Sequence, residues 1–237
     1  LQVSKKGPAD FVSTADRTAE DTLRYELTKA RPKYSFLMEE SGEVVGSDTS
    51  NVWIIDPLDG TTNFLHGLPH FAISIGLQRD GEMFAGVIYE PVHDEMFWAE
   101  KGQGAHLHDK RLRVSARSKM EESLFATGIP FKGARNHPEF LAHLEAVMAV
   151  SSGVRRFGSA ALDLAYLAAG RYDGFWETGL SPWDMAAGIV LVREAGGYVT
   201  EINGKNKMMK SGSILAANDH LHAPLGKLLR TAEKECG

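Results

Sequence analysis

The sequence is poor in cysteine and has neither a long apolar run nor a cluster of basic residues. Its single cysteine, Cys236, excludes a disulfide framework and a cysteine-based zinc site, and it favours a reducing compartment such as the cytoplasm. The longest apolar stretch, from Met185 to Val192, is far shorter than the roughly 18 residues that a membrane span requires. We therefore expect no membrane partner, and because the formal net charge is −5 we expect no direct nucleic-acid binding.

The composition is that of an ordinary globular enzyme, with 43% hydrophobic and 24% charged residues among 237. Near the N-terminus, a strand is predicted to run into a helix that ends near Ala30. Val52–Ile55 reads as a buried strand that Pro57 stops, and Asp80-Gly81 predicts the turn of a β-hairpin. Strand patterns therefore dominate the first half of the chain.

In the second half, helix and strand patterns alternate. The predicted helices span 137–150, 159–169, 182–195 and 219–234, and the predicted strands span 175–177 and 214–217. These patterns predict a mixed α/β fold with two sheets. We expect two lobes, an N-terminal α+β lobe over residues 1–130 and a C-terminal α/β lobe over residues 131–237.

The most informative segment is residues 53–64, Trp-Ile-Ile-Asp-Pro-Leu-Asp-Gly-Thr-Thr-Asn-Phe. A buried strand delivers Asp56 at its carboxyl end, and Asp59 follows three residues later, so both carboxylates can lie on one side of a tight turn. Thr61 opens a predicted helix whose free N–H groups favour an anion such as phosphate. Paired carboxylates beside such a helix start suit Mg²⁺ bridging to phosphate. The alternative is a purely structural turn in which Asp59 caps the helix at Thr61.

A second informative motif lies later in the chain. It is Trp183-Asp184-Met185-Ala186-Ala187-Gly188, and residues 194–197, Glu-Ala-Gly-Gly, follow it. Together they resemble the paired signatures of the inositol monophosphatase family, and most closely its bacterial inositol-1-monophosphatase branch. The resemblance runs from about Lys5 to the C-terminus. It implies a layered αβαβα sandwich like that of the fructose-1,6-bisphosphatase and inositol monophosphatase fold.

The resemblance also assigns roles to individual residues. The metal ligands that it implies are Glu39, Asp56, the carbonyl of Leu58, Asp59 and Asp184. Asp16 matches the residue that pairs with the Thr61 hydroxyl to orient the attacking water, so the implied catalytic residues are Asp16, Glu39 and Thr61. Lys5 or Lys6 matches a basic residue near the outer metal. The implied substrate-binding positions are Asp59, Gly60, Thr61, Gly158, Ser159, Ala160, Glu177 and Asp184.

The implied activity is hydrolysis of myo-inositol monophosphate by in-line attack of metal-activated water. Phosphate-monoester hydrolysis is so slow without a catalyst that enzymes accelerate it by up to about 10²¹-fold. Two or three Mg²⁺ ions are expected, with Mn²⁺ as a possible substitute, together with a homodimer and sensitivity to lithium. The alternatives are a fructose-1,6-bisphosphatase, a histidinol-phosphatase or an adenosine-bisphosphate nucleotidase of the same superfamily, or a regulatory protein-binding role beside catalysis.

Overall fold

The computed structural model describes residues 3–7, 10–130 and 136–236, and it describes side chains for residues 14–130 and 136–235. The side chains of Lys5 and Lys6, one of which was expected near the outer metal, lie outside this described set. The helices are α1 (Thr14–Ala30), α2 (Thr61–Leu65), α3 (His137–Met148), α4 (Ala160–Ala168), α5 (Pro182–Glu194), α6 (Met208–Ser211) and α7 (His222–Cys236). A short 3₁₀ turn spans Met120–Glu122. No helix within the described ranges has the length and apolar character needed to cross a membrane.

The strands form three sheets. A small hairpin consists of β1 (Val3–Gly7) and β2 (Asp10–Ser13). The large sheet contains β3 (Tyr34–Met38), β4 (Gly42–Val44), β5 (Asp48–Asp59), β6 (Ala72–Arg79), β7 (Glu82–Glu90), β8 (Glu95–Glu100), β9 (Gly104–Leu107) and β10 (Lys110–Arg111). The third sheet contains β11 (Leu124–Thr127), β12 (Gly153–Arg155), β13 (Gly174–Glu177), β14 (Tyr198–Thr200) and β15 (Ile214–Ala217).

The large sheet is mostly antiparallel, in the order β10-β9-β8-β7-β6-β5-β3-β4, with β3 and β5 as its parallel pair. The predicted hairpin is confirmed as β6 and β7, and Asp80 and Gly81 at its turn have φ of 51° and 80°. Two successive positive φ angles match the right-handed twist of the strands that they join. The third sheet has the order β12-β11-β13-β15-β14 and is mixed. It takes its first strand from residues 124–127, and the predicted division of the chain at residue 130 stays a prediction.

The helices lie in layers outside and between the two larger sheets. On one face of the large sheet, Leu23 and Leu27 of α1 pack against Phe36, Met38 and Ile55. On the other face, α5 lies across β5 to β9 and also packs against α4, which contacts the third sheet. Helices α3 and α7 pack together on the far side of the third sheet. This succession confirms the predicted mixed α/β sandwich with two sheets.

Two glycines let α5 lie unusually close to the large sheet. A Cβ atom on Gly76 would lie 2.7 Å from the Cβ of Ala186, and one on Gly86 would lie 2.6 Å from the carbonyl oxygen of Ala187. Neither position could hold a side chain without moving the helix. The close approach fixes the depth of α5 and therefore the place where Asp184, in its first turn, meets the sheet.

Strand β5 differs from the prediction at its carboxyl end. Pro57 was expected to stop the strand, yet β5 continues to Asp59. The pairing with β6 is interrupted between Asp56, opposite Ser74, and Asp59, opposite Ala72. Pro57 sits inside this irregularity, where a residue without an N–H group breaks no ladder hydrogen bond. The strand survives the proline because the sheet has a bulge there.

Candidate metal centre

Three carboxylates from two elements converge at the carboxyl end of β5. Asp56 and Asp59 belong to β5, and Asp184 belongs to the first turn of α5. One ligand oxygen from each of the three lies within 4.8 Å of the other two. Two of these residues are three positions apart, whereas the third is 125 residues further along the chain than Asp59. The fold therefore assembles the acidic group that the two motifs predicted.

The bulge in β5 directs the two aspartates of the motif. Asp56 is buried, and its Oδ1 accepts a hydrogen bond of 2.9 Å from the backbone N–H of Leu58. This bond closes the turn around Pro57 and leaves Oδ2 as the oxygen available to a cation. The interrupted pairing then turns Asp59 toward the same centre.

Asp59 is held by the start of α4. Its Oδ2 accepts hydrogen bonds from Ser159 Oγ at 2.6 Å and from the backbone N–H of Ala161 at 2.7 Å. The helix that follows Asp59, α2, starts after Gly60, and among the described residues no side chain caps it. The alternative in which Asp59 caps the Thr61 helix is therefore wrong, because its carboxylate is used across the molecule.

Asp184 is positioned by the capping of α5. Pro182 occupies the start of the helix, and Asp184 Oδ2 accepts a 2.7 Å hydrogen bond from the backbone N–H of Ser181. This is the reciprocal arrangement of a capping box, with Asp in place of Glu. The carboxylate thus stabilises the helix start through one oxygen while its other oxygen remains for the acidic centre.

Glu39 stands beside this group at the end of β3. Its backbone N–H donates a 3.2 Å hydrogen bond to the carbonyl of Ile55, one residue before Asp56. Buried Glu20 of α1 accepts hydrogen bonds from the backbone N–H of Glu40, at 2.8 Å, and from the Ser41 hydroxyl. Helix α1 therefore clamps the turn that carries Glu39. The charge of Glu39 acts on both Asp56 and Asp184, although its oxygens are not part of the close group of three.

Asp16 and Thr61 also meet as predicted. Asp16 is buried in the first turn of α1, and its Oδ1 lies 3.2 Å from Thr61 Oγ1. The same hydroxyl lies 2.9 Å from the carbonyl oxygen of Leu58. Since the hydroxyl has one proton, it can donate fully to only one of these two acceptors. The Leu58 carbonyl, which was predicted to bind metal, faces the Thr61 hydroxyl and keeps a second lone pair.

The carboxylates of the acidic group are close enough to repel one another, and burial disfavours their charged forms. Burial and the charges of Glu39, Asp59 and Asp184 raise the pKa of Asp56 well above its ordinary value. Burial raises the pKa of Asp59 to about 6, against hydrogen bonds that favour its charged form. Burial and the charge of Asp59 raise the pKa of Asp184 to about 8. A divalent cation would relieve this repulsion, and a donor set made only of oxygens fits Mg²⁺ or Mn²⁺.

Glu177 lies at the end of β13 beside the same centre. Burial, together with the charges of Asp184 and Asp59, raises its pKa to about 8. A Cβ atom on Gly128 would lie only 1.8 Å from Glu177 Oε1, so the absence of a side chain at residue 128 creates the space for this carboxylate. Gly158, with φ of 87°, and the N-cap residue Ser159 lead into α4. Ala160 is buried and opens that helix, and its role in binding substrate stays a prediction.

Sequence reasoning missed four residues that shape the site. They are Glu20, Asn63, Gly128 and Asp163. Buried Asn63 donates hydrogen bonds of 2.8 Å and 2.7 Å to the carbonyls of His70 and Phe157, which ties α2 to the loop before α4. Burial and the charges of Glu177 and Asp59 raise the pKa of Asp163 well above its ordinary value. Asp163 could have been noticed in the sequence, because it is a carboxylate inside the otherwise apolar segment that forms α4. Nothing in the sequence around Gly128 indicates its role.

The oxygen-ligand group at the end of the large sheet, with Asp56 buried and Asp59 and Asp184 partly buried, is of the kind that metal-dependent hydrolases use. A model of the inositol monophosphatase family matches residues 1–234. An inositol-1-monophosphatase from Mesorhizobium japonicum is 56% identical over 230 residues, which are 97% of this chain and 86% of that protein. The chain therefore belongs to the inositol monophosphatase family.

Two further relatives add structural and functional context. The crystal structure of extragenic suppressor protein suhB from Bartonella henselae has a TM-score of 0.95 and 56% identity, covering 97% of this chain and 90% of that one. A protein named Nus factor SuhB, from Pseudomonas aeruginosa, is 46% identical over 222 residues, which are 92% of this chain and 82% of that protein. Proteins similar to this chain therefore carry two kinds of name, inositol-1-monophosphatase and SuhB.

Proposed function

We propose that this protein is a phosphatase that releases phosphate from myo-inositol monophosphate with the help of Mg²⁺. The single observation that carries the proposal is the convergence of buried Asp56 with the partly buried Asp59 and Asp184 at one point. Relatives at more than 50% identity that bear the name inositol-1-monophosphatase support the choice of substrate.

The cation would be held by the carboxylates of Glu39, Asp56, Asp59 and Asp184, with the Leu58 carbonyl as a further ligand. Bound Mg²⁺ neutralises phosphoryl oxygens, lowers the pKa of water and stabilises a leaving oxygen. The protein's own part would be to hold these charges in place, and the backbone N–H groups of Leu58, Ala161 and Ser181 donate to three of the four carboxylates, those of Asp56, Asp59 and Asp184.

Asp16 and Thr61 would orient the attacking water. If Thr61 donates its proton to Asp16, its hydroxyl oxygen is left with lone pairs that can accept a hydrogen bond from water. Asp16 Oδ1 lies within reach of the hydroxyl at 3.2 Å, and donation to it requires that the proton leave the closer acceptor, the Leu58 carbonyl at 2.9 Å. Positioning of this kind lowers the entropic part of the activation barrier, because the water and the phosphate are already held in one complex.

The phosphate and the ring would lie on opposite sides of the centre. The backbone N–H groups of Gly60 and Thr61, where α2 begins, would donate to phosphate oxygens. Gly158, Ser159, Ala160 and Glu177 would bind the ring hydroxyls, as the resemblance implies. The raised pKa of Glu177 supports a role next to a polar ligand, because a buried carboxylate without such a partner is destabilising.

Removal of the Glu177 carboxylate tests the substrate. Glu177→Ala should reduce kcat/KM for inositol monophosphate by about 10-fold to 100-fold, the loss expected when a ligand hydroxyl is buried without its hydrogen-bond partner. Activity on a small aryl phosphate, which has no ring hydroxyls, should fall far less. The control is Glu145→Gln, which changes an exposed carboxylate on α3. Equal losses on both substrates would remove Glu177 from the binding pocket.

A panel of phosphate esters separates this proposal from its alternatives. Inositol monophosphate should be hydrolysed faster than fructose 1,6-bisphosphate, histidinol phosphate or an adenosine bisphosphate. Thr62-Asn63-Phe64 and the segment Gly179–Trp183 favour the inositol branch. We further propose two or three Mg²⁺ ions, replaceable by Mn²⁺, together with inhibition by lithium, a homodimer and a cytoplasmic location.

A second candidate function is a regulatory protein-binding role beside catalysis. The specific observation that favours it is the 46% identity with a relative named Nus factor SuhB. The two functions separate in an Asp56→Asn variant, which should lose turnover but keep its surface. If this variant still supports growth in the cold or under stress where a deletion does not, the second function exists. If growth fails as in the deletion, phosphatase activity is sufficient to explain the requirement.

A further inference from the structure

A second group of ligand-type side chains lies where α3 packs against α7. Glu139 and His143 are four residues apart on α3, so they lie on one face of the helix. Glu233 reaches the same place from α7. One ligand atom from each of these three residues lies within 4.8 Å of the other two.

The imidazole of His143 points into this group and has an unsatisfied nitrogen. The side chain is 2% exposed, and its Nε2 lies 3.3 Å from Glu233 Oε1. That contact does not have hydrogen-bond geometry, and Nε2 finds no hydrogen-bond partner among the residues described. A buried nitrogen without a hydrogen-bond partner destabilises the folded chain, and a ligand that binds this nitrogen would remove that cost.

A simple ion pair with Glu233 does not account for this geometry. Burial lowers the pKa of His143, although Glu139 and a backbone hydrogen bond at Leu229 oppose the shift. The ring is then neutral near pH 7 and can present a lone pair. Arg230, whose charge also acts on Glu233, donates a hydrogen bond of 2.7 Å to the carbonyl of Ile202.

We infer that Glu139, His143 and Glu233 form a second divalent-metal site, distinct from the carboxylate centre, that takes Zn²⁺. One imidazole with two carboxylates is a donor set that suits zinc, whereas Mg²⁺ prefers oxygen ligands alone. Zinc ligands lie about 2.0–2.2 Å from the ion, so the three atoms must come slightly closer together. Glu139 and Glu233 are only partly buried, so their side chains are the ones that would adjust toward the ion.

Zinc at this place would join α3 to α7 within the helical layer outside the third sheet. His143 also lines a small cavity with Gly128, Phe140 and Glu177, next to the substrate pocket. A metal that fixes His143 would therefore stiffen one wall of that cavity. Bound zinc would raise the free energy of unfolding, because the ion binds the folded chain, in which the two helices lie together, and not the unfolded chain.

The test uses the full chain in excess Mg²⁺, to which one equivalent of Zn²⁺ is added. After gel filtration, wild-type protein should retain about one zinc per chain, and at 100 times the Kd its Tm should rise by about 5 °C or more. Glu233→Gln and His143→Gln should lose both the zinc and the shift. Glu233 is about one-third exposed, so its amide variant keeps the fold even if the buried His143 variant does not.

Two controls locate the zinc. Asp184→Asn removes a ligand of the carboxylate centre and should keep the α3–α7 zinc. His220→Gln changes an exposed histidine that lies 3.7 Å from Asp219 and should behave like wild type. The inference is overturned if wild-type protein retains no zinc, if Glu233→Gln retains it fully, or if Asp184→Asn abolishes it.

Discussion

At the scale of single residues, the site depends on what is missing at residue 128 as much as on the carboxylates present. The Glu177 carboxylate occupies the space where a Cβ of residue 128 would lie, at 1.8 Å. The Gly128→Ala variant must therefore displace Glu177, since the alanine is fixed to the backbone. We expect KM for inositol monophosphate to rise by about 10-fold, as for a misplaced polar contact, with a small aryl phosphate much less affected.

The neighbouring residue gives a matched control for this experiment. Ile129 is 48% exposed, so Ile129→Ala changes the same loop without touching Glu177. It should leave both substrates unchanged. If Gly128→Ala has wild-type KM for inositol monophosphate, Glu177 is not placed by the space at residue 128.

At the scale of elements, the depth at which α5 packs on the large sheet decides where Asp184 lies. Gly86→Ala in β7 would bring a Cβ to 2.6 Å from the Ala187 carbonyl oxygen and 2.7 Å from its Cα. Backbone atoms cannot turn aside, so the helix must move. Overpacking of this kind costs about 1–3 kcal/mol, so for a chain of this size we expect thermal unfolding to show Tm lower by about 2–12 °C, with weaker Mg²⁺ binding.

The control for this packing prediction is Glu82→Ala, at the exposed first position of β7. An exposed substitution away from special contacts changes stability by about 0.5 kcal/mol or less. A Tm for Gly86→Ala equal to that of Glu82→Ala would show that α5 is free to shift without cost.

Elements with local signals could be predicted from the sequence, and elements set by distant contacts could not. Ser159 predicts the start of α4, and Pro182 predicts the start of α5, because caps and fixed φ angles act within one turn. The bulge that carries β5 through Pro57 depends on pairing with β6. The bonds from Asp59 to Ser159 and Ala161 join residues about 100 positions apart. A contact over this sequence distance leaves no local pattern. The sequence alone therefore could not exclude the alternative in which Asp59 caps the helix at Thr61.

At the scale of the whole molecule, the buried acids make stability depend on pH and metal together. Asp59, with a pKa of about 6, and Asp184 and Glu177, each about 8, are raised above the values of an unfolded chain. A raised carboxyl pKa contributes stability at low pH that is lost as pH rises through the folded pKa. Metal-free protein should therefore have a lower Tm at pH 9 than at pH 6, by about 5 °C or more.

Mg²⁺ should reverse this trend, because cation binding requires the charged carboxylates and displaces their protons. The rise in Tm on adding Mg²⁺ should be larger at pH 9 than at pH 6. Asp184→Asn, which removes one of the raised groups, should flatten the pH dependence of the metal-free protein. A metal-free Tm that increases steadily from pH 6 to pH 9 would be inconsistent with buried, mutually repelling acids.

The proposed function requires one cation centre shared by two distant parts of the chain. Anomalous diffraction from crystals grown with Mn²⁺ tests it most directly, because manganese scatters anomalously and accepts the same oxygen ligands as Mg²⁺. We predict a peak bounded by the oxygens of Asp56, Asp59 and Asp184, with Glu39 within reach of it or of a second peak. Manganese absent from this point, with the three carboxylates turned toward separate partners, would contradict the central claim.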